Sequence, residues 1–101
     1  MRKQKKVTVA DSLRECAKTY EQRNAIYGDS YKSLGHIMVV LFPEGLTLET
    51  PEDFNRFGCF FEMVNKMQRY SHNFTSGGHV DSTHDISVYS QMLEELDNEA
   101  R

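Results

Sequence analysis

Residues 54–70, FNRFGCFFEMVNKMQRY, form the most hydrophobic stretch of an otherwise polar chain. Their apolar side chains recur every three or four positions, which predicts a helix that is apolar around most of its circumference and is therefore buried. Glu62, Lys66 and Arg69 interrupt this surface on one helical face, at intervals of about one turn. Because an unpaired buried charge is unfavourable, we expect this charged row to face a partner charge, a ligand or a water-filled cleft.

Size and charge limit what the rest of the chain can be. A chain of 101 residues suits one small domain with a modest core, and a homo-oligomer would extend that core. The 12 Lys and Arg residues against 15 Asp and Glu give a net charge of −3, which argues against a dedicated DNA-binding protein. The basic residues at the start predict a flexible tail over residues 1–7, followed by a single helical domain over residues 8–101.

The sequence predicts no association with a membrane. No apolar region of signal-peptide length follows the basic start, and no apolar run approaches the length of a membrane span. Cys16 and Cys59 fall at apolar positions of predicted helices, where cysteine behaves as a small hydrophobic residue. We therefore expect a cytoplasmic protein with reduced cysteines.

Four helices and no strand are predicted from the periodicity and the capping signals. The first begins at the capping pair Thr8 and Asp11 and ends near Ile26. The second covers residues 31–41. The third follows a cap at Thr50, has Pro51 at its first position and ends at 71–73, and the fourth runs from a cap at 81–83 to about 98. Together they predict an all-α, antiparallel four-helix bundle with short links. In this bundle the inward face of the first helix consists of Leu13, Cys16, Ala17 and Tyr20.

The last helix supplies carboxylates that can meet the charged row. Asp85 shares a helical face with Tyr89 and with apolar residues, so it should point into the bundle or its mouth, and Asp81 lies one turn earlier. Asp81 and Asp85 would then converge with Glu62. Three carboxylates suit Mg²⁺, which keeps several waters and bridges to phosphates, so this cluster predicts a catalytic metal site that activates water against a phosphoanhydride.

The cations of the row predict a site for a phosphate-bearing substrate. Lys66 and Arg69 would bind phosphate oxygens, the arginine through two donors at once. Tyr89 would donate a hydrogen bond to a phosphate or orient Asp85. Tyr27 and Tyr31, on either side of the break after the first helix, would stack on a base.

Two other interpretations of these residues stay open. In the structural one, Glu62 and Lys66 are a favourable pair one helical turn apart, Asp81 caps a helix, and Asp85 pairs with Arg69. In the other, histidines bind Zn²⁺ together with Asp81, although their spacing matches no strong zinc template. The histidines concerned are His72, His79 and His84.

Three sequence elements, taken in order, resemble the nucleotide-modification-associated domain 1 family of phages and bacteria. They are Arg23 followed by Tyr27-Gly28-Asp29, then Lys66-Met67-Gln68-Arg69, and then Asp85-Ile86-Ser87-Val88-Tyr89. They match the family's YGD element after the first helix, its KxxR element on a central helix and its DxxxY element on the last helix. The resemblance spans roughly residues 20–93. The family is considered a relative of the all-helical MazG-like nucleotide pyrophosphohydrolases.

The resemblance implies a MazG-like, phage-type protein whose partner is a nucleotide or a nucleotide-derived ligand. MazG-like enzymes typically use an ExxE element followed by ExxD, and Glu21-Gln22-Arg23-Asn24 departs from that pattern, so it supplies no complete set of metal ligands. Three function classes follow. They are a Mg²⁺-dependent nucleotide pyrophosphohydrolase, a protein that sequesters a nucleotide-derived signal of host defence without turnover, and a structural interaction module.

Overall fold

The computed structural model describes residues 6–101 of the chain. They contain a short 3₁₀-helix at Phe74–Ser76, no strand, and four α-helices: α1 (Val9–Tyr27), α2 (Ser30–Leu41), α3 (Pro51–His72) and α4 (Val80–Glu99). The prediction of an all-α protein with four helices is confirmed. None of the helices in this part of the chain combines the length and the hydropathy needed to cross a membrane. Most of the predicted basic tail, residues 1–5, lies outside the described residues.

Two helices begin at capping signals that the sequence predicts. At α1, the Asp11 amide donates to Thr8 Oγ1 and the Thr8 amide donates to the Asp11 carboxylate, both at 3.1 Å. At α3, the same exchange joins Thr50 and Asp53, also at 3.1 Å. Pro51 lies in the first turn of α3, where a backbone donor would have no partner within the helix. These local hydrogen bonds fix where both helices start.

The helix α4 begins earlier than the caps predicted at residues 81–83. His79 occupies the position before its first residue, and its Nδ1 shares a 2.6 Å hydrogen bond with Ser82 Oγ. Ser82 is only 1% exposed, so its hydroxyl meets the histidine instead of solvent. The early start follows from Gly77 and Gly78, whose φ angles of 101° and 89° let the chain reverse directly after the 3₁₀-helix.

The helices α3 and α4 form the most extensive packing in the described part of the chain. They run antiparallel, because Arg56 near the start of α3 donates to Asp97 near the end of α4, Nε to Oδ1, at 2.7 Å. Val64 of α3, 5% exposed, is the only buried apolar residue within residues 6–101. The predicted inward stripe of α4 is half-buried along its length and consists of Ile86, Tyr89, Leu93 and Leu96.

The helices α1 and α2 contact α3 only through short segments, so the described chain does not close into a four-helix bundle. The face of α1 that was predicted to point inward is exposed throughout; it consists of Leu13, Cys16, Ala17 and Tyr20. The prediction that this face is buried is therefore wrong for the single chain. This face is exposed because α1 is attached to the rest of the chain at one end only. Its anchor lies at its C-terminal end, where the Asn73 side chain donates to the Ile26 carbonyl at 2.9 Å, and the rest of the helix projects away from α3 and α4.

The molecule is elongated as a result. Its Cα atoms extend over 61 × 37 × 26 Å, with a radius of gyration of 18.3 Å. A compact domain of this length would have a radius of gyration of about 13 Å. The chain therefore leaves apolar side chains of α1 and α2 uncovered by its own residues, Val9 and Val40 among them.

The cap of α3 provides a first test of this fold. Thr50→Ala removes the acceptor for the Asp53 amide, and losses of this kind lower helix stability by about 1 kcal/mol. We expect the free energy of unfolding, measured by urea denaturation, to fall by that amount. Thr47→Ala, in the exposed connector before the helix, is the matched control and should change it by less than about 0.5 kcal/mol. Equal losses in the two variants would show that the cap does not hold α3.

Asp53 gives the same cap a pH dependence. Its carboxylate accepts hydrogen bonds from the Glu49 and Thr50 amides, and these bonds hold the pKa of Asp53 below its ordinary value. The stabilisation is therefore present above the ordinary pKa and is lost as the pH falls through the folded-state value. Asp53→Ala should lower the melting temperature near pH 6.5 by more than it does at about pH 3. Glu52→Ala, in the same turn without those hydrogen bonds, should show a smaller difference between the two pH values.

Candidate functional site

The turn between α1 and α2 sets the geometry of the candidate site. Gly28 ends α1 with a φ of 64°, in the region that favours glycine. A Cβ atom at this position would stand 2.8 Å from His72 Nδ1, so a larger residue would push the histidine away. This close approach places the end of α1 and the start of α2 beside the end of α3.

Asn24 holds the turn together. Its Nδ2 donates to Asp29 Oδ1 at 2.7 Å and to the Gly28 carbonyl at 3.2 Å. Lys32 Nζ lies 3.4 Å from Asp29 Oδ2. The hydrogen bond from Asn24, and then the charge of Lys32, lower the pKa of Asp29, so this carboxylate is ionised near neutral pH. The aspartate of the Tyr27-Gly28-Asp29 element is thus an acceptor that fixes the turn.

Tyrosines from α1 and α2 meet beside this turn. The rings of Tyr20 and Tyr31 contact edge to face with centroids 6.4 Å apart, and their hydroxyls share a 3.4 Å hydrogen bond. That hydrogen bond raises the pKa of Tyr20 above its ordinary value. The pair therefore presents aromatic faces and an uncharged Tyr20 hydroxyl near neutral pH.

Arg69 of α3 stacks on Tyr27, the last residue of α1. Its guanidinium carbon lies 4.3 Å from the ring centroid, which is the geometry of a cation–π contact. Within residues 6–101, no carboxylate oxygen lies within 4.0 Å of this guanidinium, so the alternative pair between Asp85 and Arg69 is not formed. The stack brings together two of the three sequence elements, the one that contains Tyr27 and the one that contains Arg69.

Tyr27 stands between two open cavities. The first, which we name the junction cavity, lies between α1 and α2 and has a volume of about 510 Å³. The second, the α2–α3 groove, has a volume of about 820 Å³ and is lined by both polar and apolar side chains. The side chains that give the junction cavity its chemistry are Tyr20, Arg23, Asn24, Tyr27 and Tyr31. Those that give the groove its polar character include Lys32, His36, Gln68 and His72.

Lys66 and Glu62 form an ion pair on α3, with Nζ 3.4 Å from Oε2. The Lys66 side chain is 11% exposed and that of Glu62 is 33% exposed, so the pair is partly removed from water. Neither residue lines the junction cavity or the groove. The predicted charged row therefore divides, because Glu62 and Lys66 satisfy each other whereas Arg69 turns to Tyr27.

The acidic residues of α4 lie apart from this pair. Asp81 is exposed in the first turn of α4, while Asp85 and Tyr89 are half-buried. Over the described range, neither aspartate has an ion-pair partner within 4.0 Å, and no group of three or more His, Cys, Asp or Glu side chains is placed to hold a metal ion. The single chain does not gather Glu62 with the two aspartates, and their binding of Mg²⁺ stays a prediction.

The histidines have separate surroundings. His72 packs on Gly28, His79 bonds to Ser82, and His84 is exposed on α4. They form no group with Asp81 that could hold a metal ion among residues 6–101. The zinc site that the sequence left open is therefore not assembled within the described part of one chain.

Several residues of the junction cavity were missed by sequence reasoning. The sequence predicts Tyr20 as a core residue and assigns no role to Asn24, yet both line the cavity. Arg23 belongs to the first of the three elements that resemble the family, but no role was predicted for it. One signal points to the cavity in retrospect: Tyr20, Tyr27 and Tyr31 follow one another at intervals of seven and four residues, on both sides of the glycine turn.

No protein-family model matches this chain, and comparison with curated proteins and with solved structures gave no significant match. The resemblance to the nucleotide-modification-associated domain 1 family therefore stays a prediction from its three elements. Two of those elements meet in the fold, at the contact of Arg69 with Tyr27.

Removing one half of the Glu62–Lys66 pair should destabilise the fold. Glu62→Gln leaves the little-exposed Lys66 without a counter-charge, and we expect the free energy of unfolding to fall by about 1–2 kcal/mol. The loss is smaller than the ~3–5 kcal/mol of fully buried pairs because Glu62 keeps contact with water. Combining it with Lys66→Met should recover most of the stability in urea denaturation. A double variant no more stable than Glu62→Gln alone would contradict the pairing.

Proposed function

We propose that the protein binds a nucleotide or a nucleotide-derived ligand at the junction cavity. The base lies against the rings of Tyr20 and Tyr31, and the phosphate contacts Arg23 in the cavity wall. Arg69 lines neither the cavity nor the groove, but it contacts the cavity residue Tyr27 and would meet the phosphate beyond that ring. The homo-oligomer expected from the small core is part of this proposal. An assembly would cover the apolar surface that residues 6–101 leave exposed.

The stack of Arg69 on Tyr27 is the observation that supports this proposal most directly. A guanidinium carries five N–H donors in a planar fork that fits phosphate oxygens, and stacking on a ring leaves the donors at its edge free. Within residues 6–101 no carboxylate oxygen lies within 4.0 Å of Arg69, so no ion pair occupies its donors. Arg69 is therefore available to an anionic ligand at the end of α1.

The junction cavity suits such a ligand in size and in chemistry. Its volume of about 510 Å³ falls within the ~300–1,000 Å³ of typical small-molecule sites. Tyr20 and Tyr31 offer ring faces and hydroxyls, and Arg23 adds a second cation on the α1 wall. Stacking on an aromatic side chain contributes about 1–3 kcal/mol for any base. The cavity thus supports recognition of the nucleotide class and leaves the choice of base to polar contacts.

Mg²⁺-dependent hydrolysis is the second candidate function. It is favoured by the half-buried carboxylates Glu62 and Asp85, which lie on the two helices that pack together. Asp81 would join them in holding the metal ion, and the phosphate would meet Lys66, Arg69 and Tyr89. Residues 6–101 of one chain do not gather these acids, so this function requires a ligand or a second copy that brings them together.

The biological setting rests on the resemblance alone. It favours a phage-type, MazG-like protein that acts in the cytoplasm. Sequestration of a nucleotide-derived signal of host defence would need binding without turnover, which is the simplest use of the Arg69–Tyr27 site.

Ligand binding can be tested by thermal shift on the full chain. The panel consists of nucleoside mono- and triphosphates and cyclic nucleotides at about 1 mM, with and without Mg²⁺. A ligand at one hundred times its Kd stabilises the fold by about 2.7 kcal/mol, so even modest affinity is visible. Arg69→Ala and Tyr27→Leu should each weaken the best ligand by about tenfold or more, because each removes one half of the stack.

Arg56→Ala is the matched control for Arg69→Ala. Arg56 lies on the same helix, about 20 Å along its axis, and pairs with Asp97. Its loss should leave ligand affinity unchanged. Absence of a shift with every nucleotide, or equal weakening by Arg56→Ala and Arg69→Ala, would overturn the binding proposal. Phosphate or pyrophosphate release that requires Mg²⁺ and is lost in Asp85→Asn would establish the second candidate.

A further inference from the structure

The helix α1 carries an apolar seam that the described chain leaves uncovered. Val9, Leu13, Cys16 and Tyr20 follow one another at intervals of four, three and four residues, which is the spacing of core positions in a coiled coil. All four are exposed, Leu13 to 64%, and no residue of α1 is buried by residues 6–101. Tyr20 contacts Tyr31 of α2 at one end of the seam, and the rest of the seam stays uncovered in this part of the chain.

The positions beside the seam are small and uncharged. Ala10, Ser12, Ala17 and Thr19 occupy them, so a second helix can approach closely. The charged residues of this part of α1 all lie on the opposite side: Asp11, Arg14, Glu15, Lys18 and Glu21. Along residues 9–20, a contact of the seam with itself would therefore bring no like charges together; Arg23, three positions beyond Tyr20 on the same face, lies outside this segment.

The accessible surface indicates how much of the chain lacks a partner. The chain exposes 8346 Å², whereas a monomeric protein of 11.7 kDa would expose about 5,900 Å². The excess of roughly 2,500 Å² per chain lies at the upper end of the ~1,000–2,500 Å² per subunit that corresponds to the ~2,000–5,000 Å² buried in total by obligate homodimers. The accessible surface area of the chain is therefore what we expect for one subunit of a larger assembly.

The stability of α1 points in the same direction. The helix has 19 residues and is about 28 Å long. Its contacts with α3 lie at its C-terminal end, at Ile26 and Tyr27. A helix without tertiary packing along its length is only marginally stable in water, so the N-terminal part of α1 needs a surface to pack against.

We propose that the protein self-associates through α1, with the seam of Val9, Leu13, Cys16 and Tyr20 packed against the same seam of a second copy. An isologous contact uses one patch twice, so the patch must be complementary to itself, and an apolar seam without charges meets that requirement. The interface itself does not depend on ligand binding. Cys16 and Tyr20 also line the junction cavity, so the second copy would form part of its wall, a consequence that rests on the proposed function.

Sedimentation velocity of the ligand-free full chain at about 50 µM tests the interface. The wild type should sediment as a dimer or a larger assembly. Leu13→Ala keeps a strong helix former but removes one seam side chain from each copy, so the dissociation constant should rise about tenfold or more. Leu13→Asp should sediment as a monomer.

Val80→Asp is the matched control, because Val80 is an apolar residue that is 79% exposed and lies outside the seam, in the first turn of α4. It should leave the assembly unchanged. A monomeric wild type, an unchanged assembly in both Leu13 variants, or equal dissociation by Val80→Asp would each overturn the proposal. These outcomes are separate from the nucleotide screen, because no nucleotide is present.

Discussion

The antiparallel packing of α3 against α4 supports every other feature of this protein. It holds α3 in place, and at the end of that helix His72 and Asn73 contact the end of α1. The turn at Gly28 depends on that surface, because the lack of a side chain at Gly28 lets the turn pack directly against His72 at the end of α3. The candidate site is therefore built on the C-terminal end of α3.

The charged row of α3 shows how one helix meets two different electrostatic demands. Lys66, little exposed, needs an opposite charge and finds it one turn away in Glu62. Arg69 is satisfied in another way, because a guanidinium is weakly hydrated and stacks well on an aromatic ring. Stacking stabilises the cation without using its hydrogen-bond donors. Lys66 is thus neutralised by its ion pair, whereas Arg69 on the same helix keeps hydrogen-bond donors that an anion can use.

The same helix connects the proposed binding site with the proposed assembly. One side of α1 presents Cys16 and Tyr20 to the junction cavity, and these residues also belong to the apolar seam. A second copy would then reduce the exposure of the cavity to water, which strengthens electrostatic contacts inside it. The unusual exposure of the single chain and the openness of its cavity would have one cause, the absence of that second copy from the isolated chain.

The sequence alone determined the helices and the contacts within them. The caps at Thr8 and Thr50 are correct, and the alternative in which Glu62 pairs with Lys66 is observed, because each contact joins residues three or four positions apart. The tertiary structure decided the rest. The stack of Arg69 on Tyr27, the burial of Ser82, and the exposure of the α1 face depend on residues far apart in the chain, or on none within it. Periodicity shows that a face is apolar, but only the positions of neighbouring elements decide whether anything covers it.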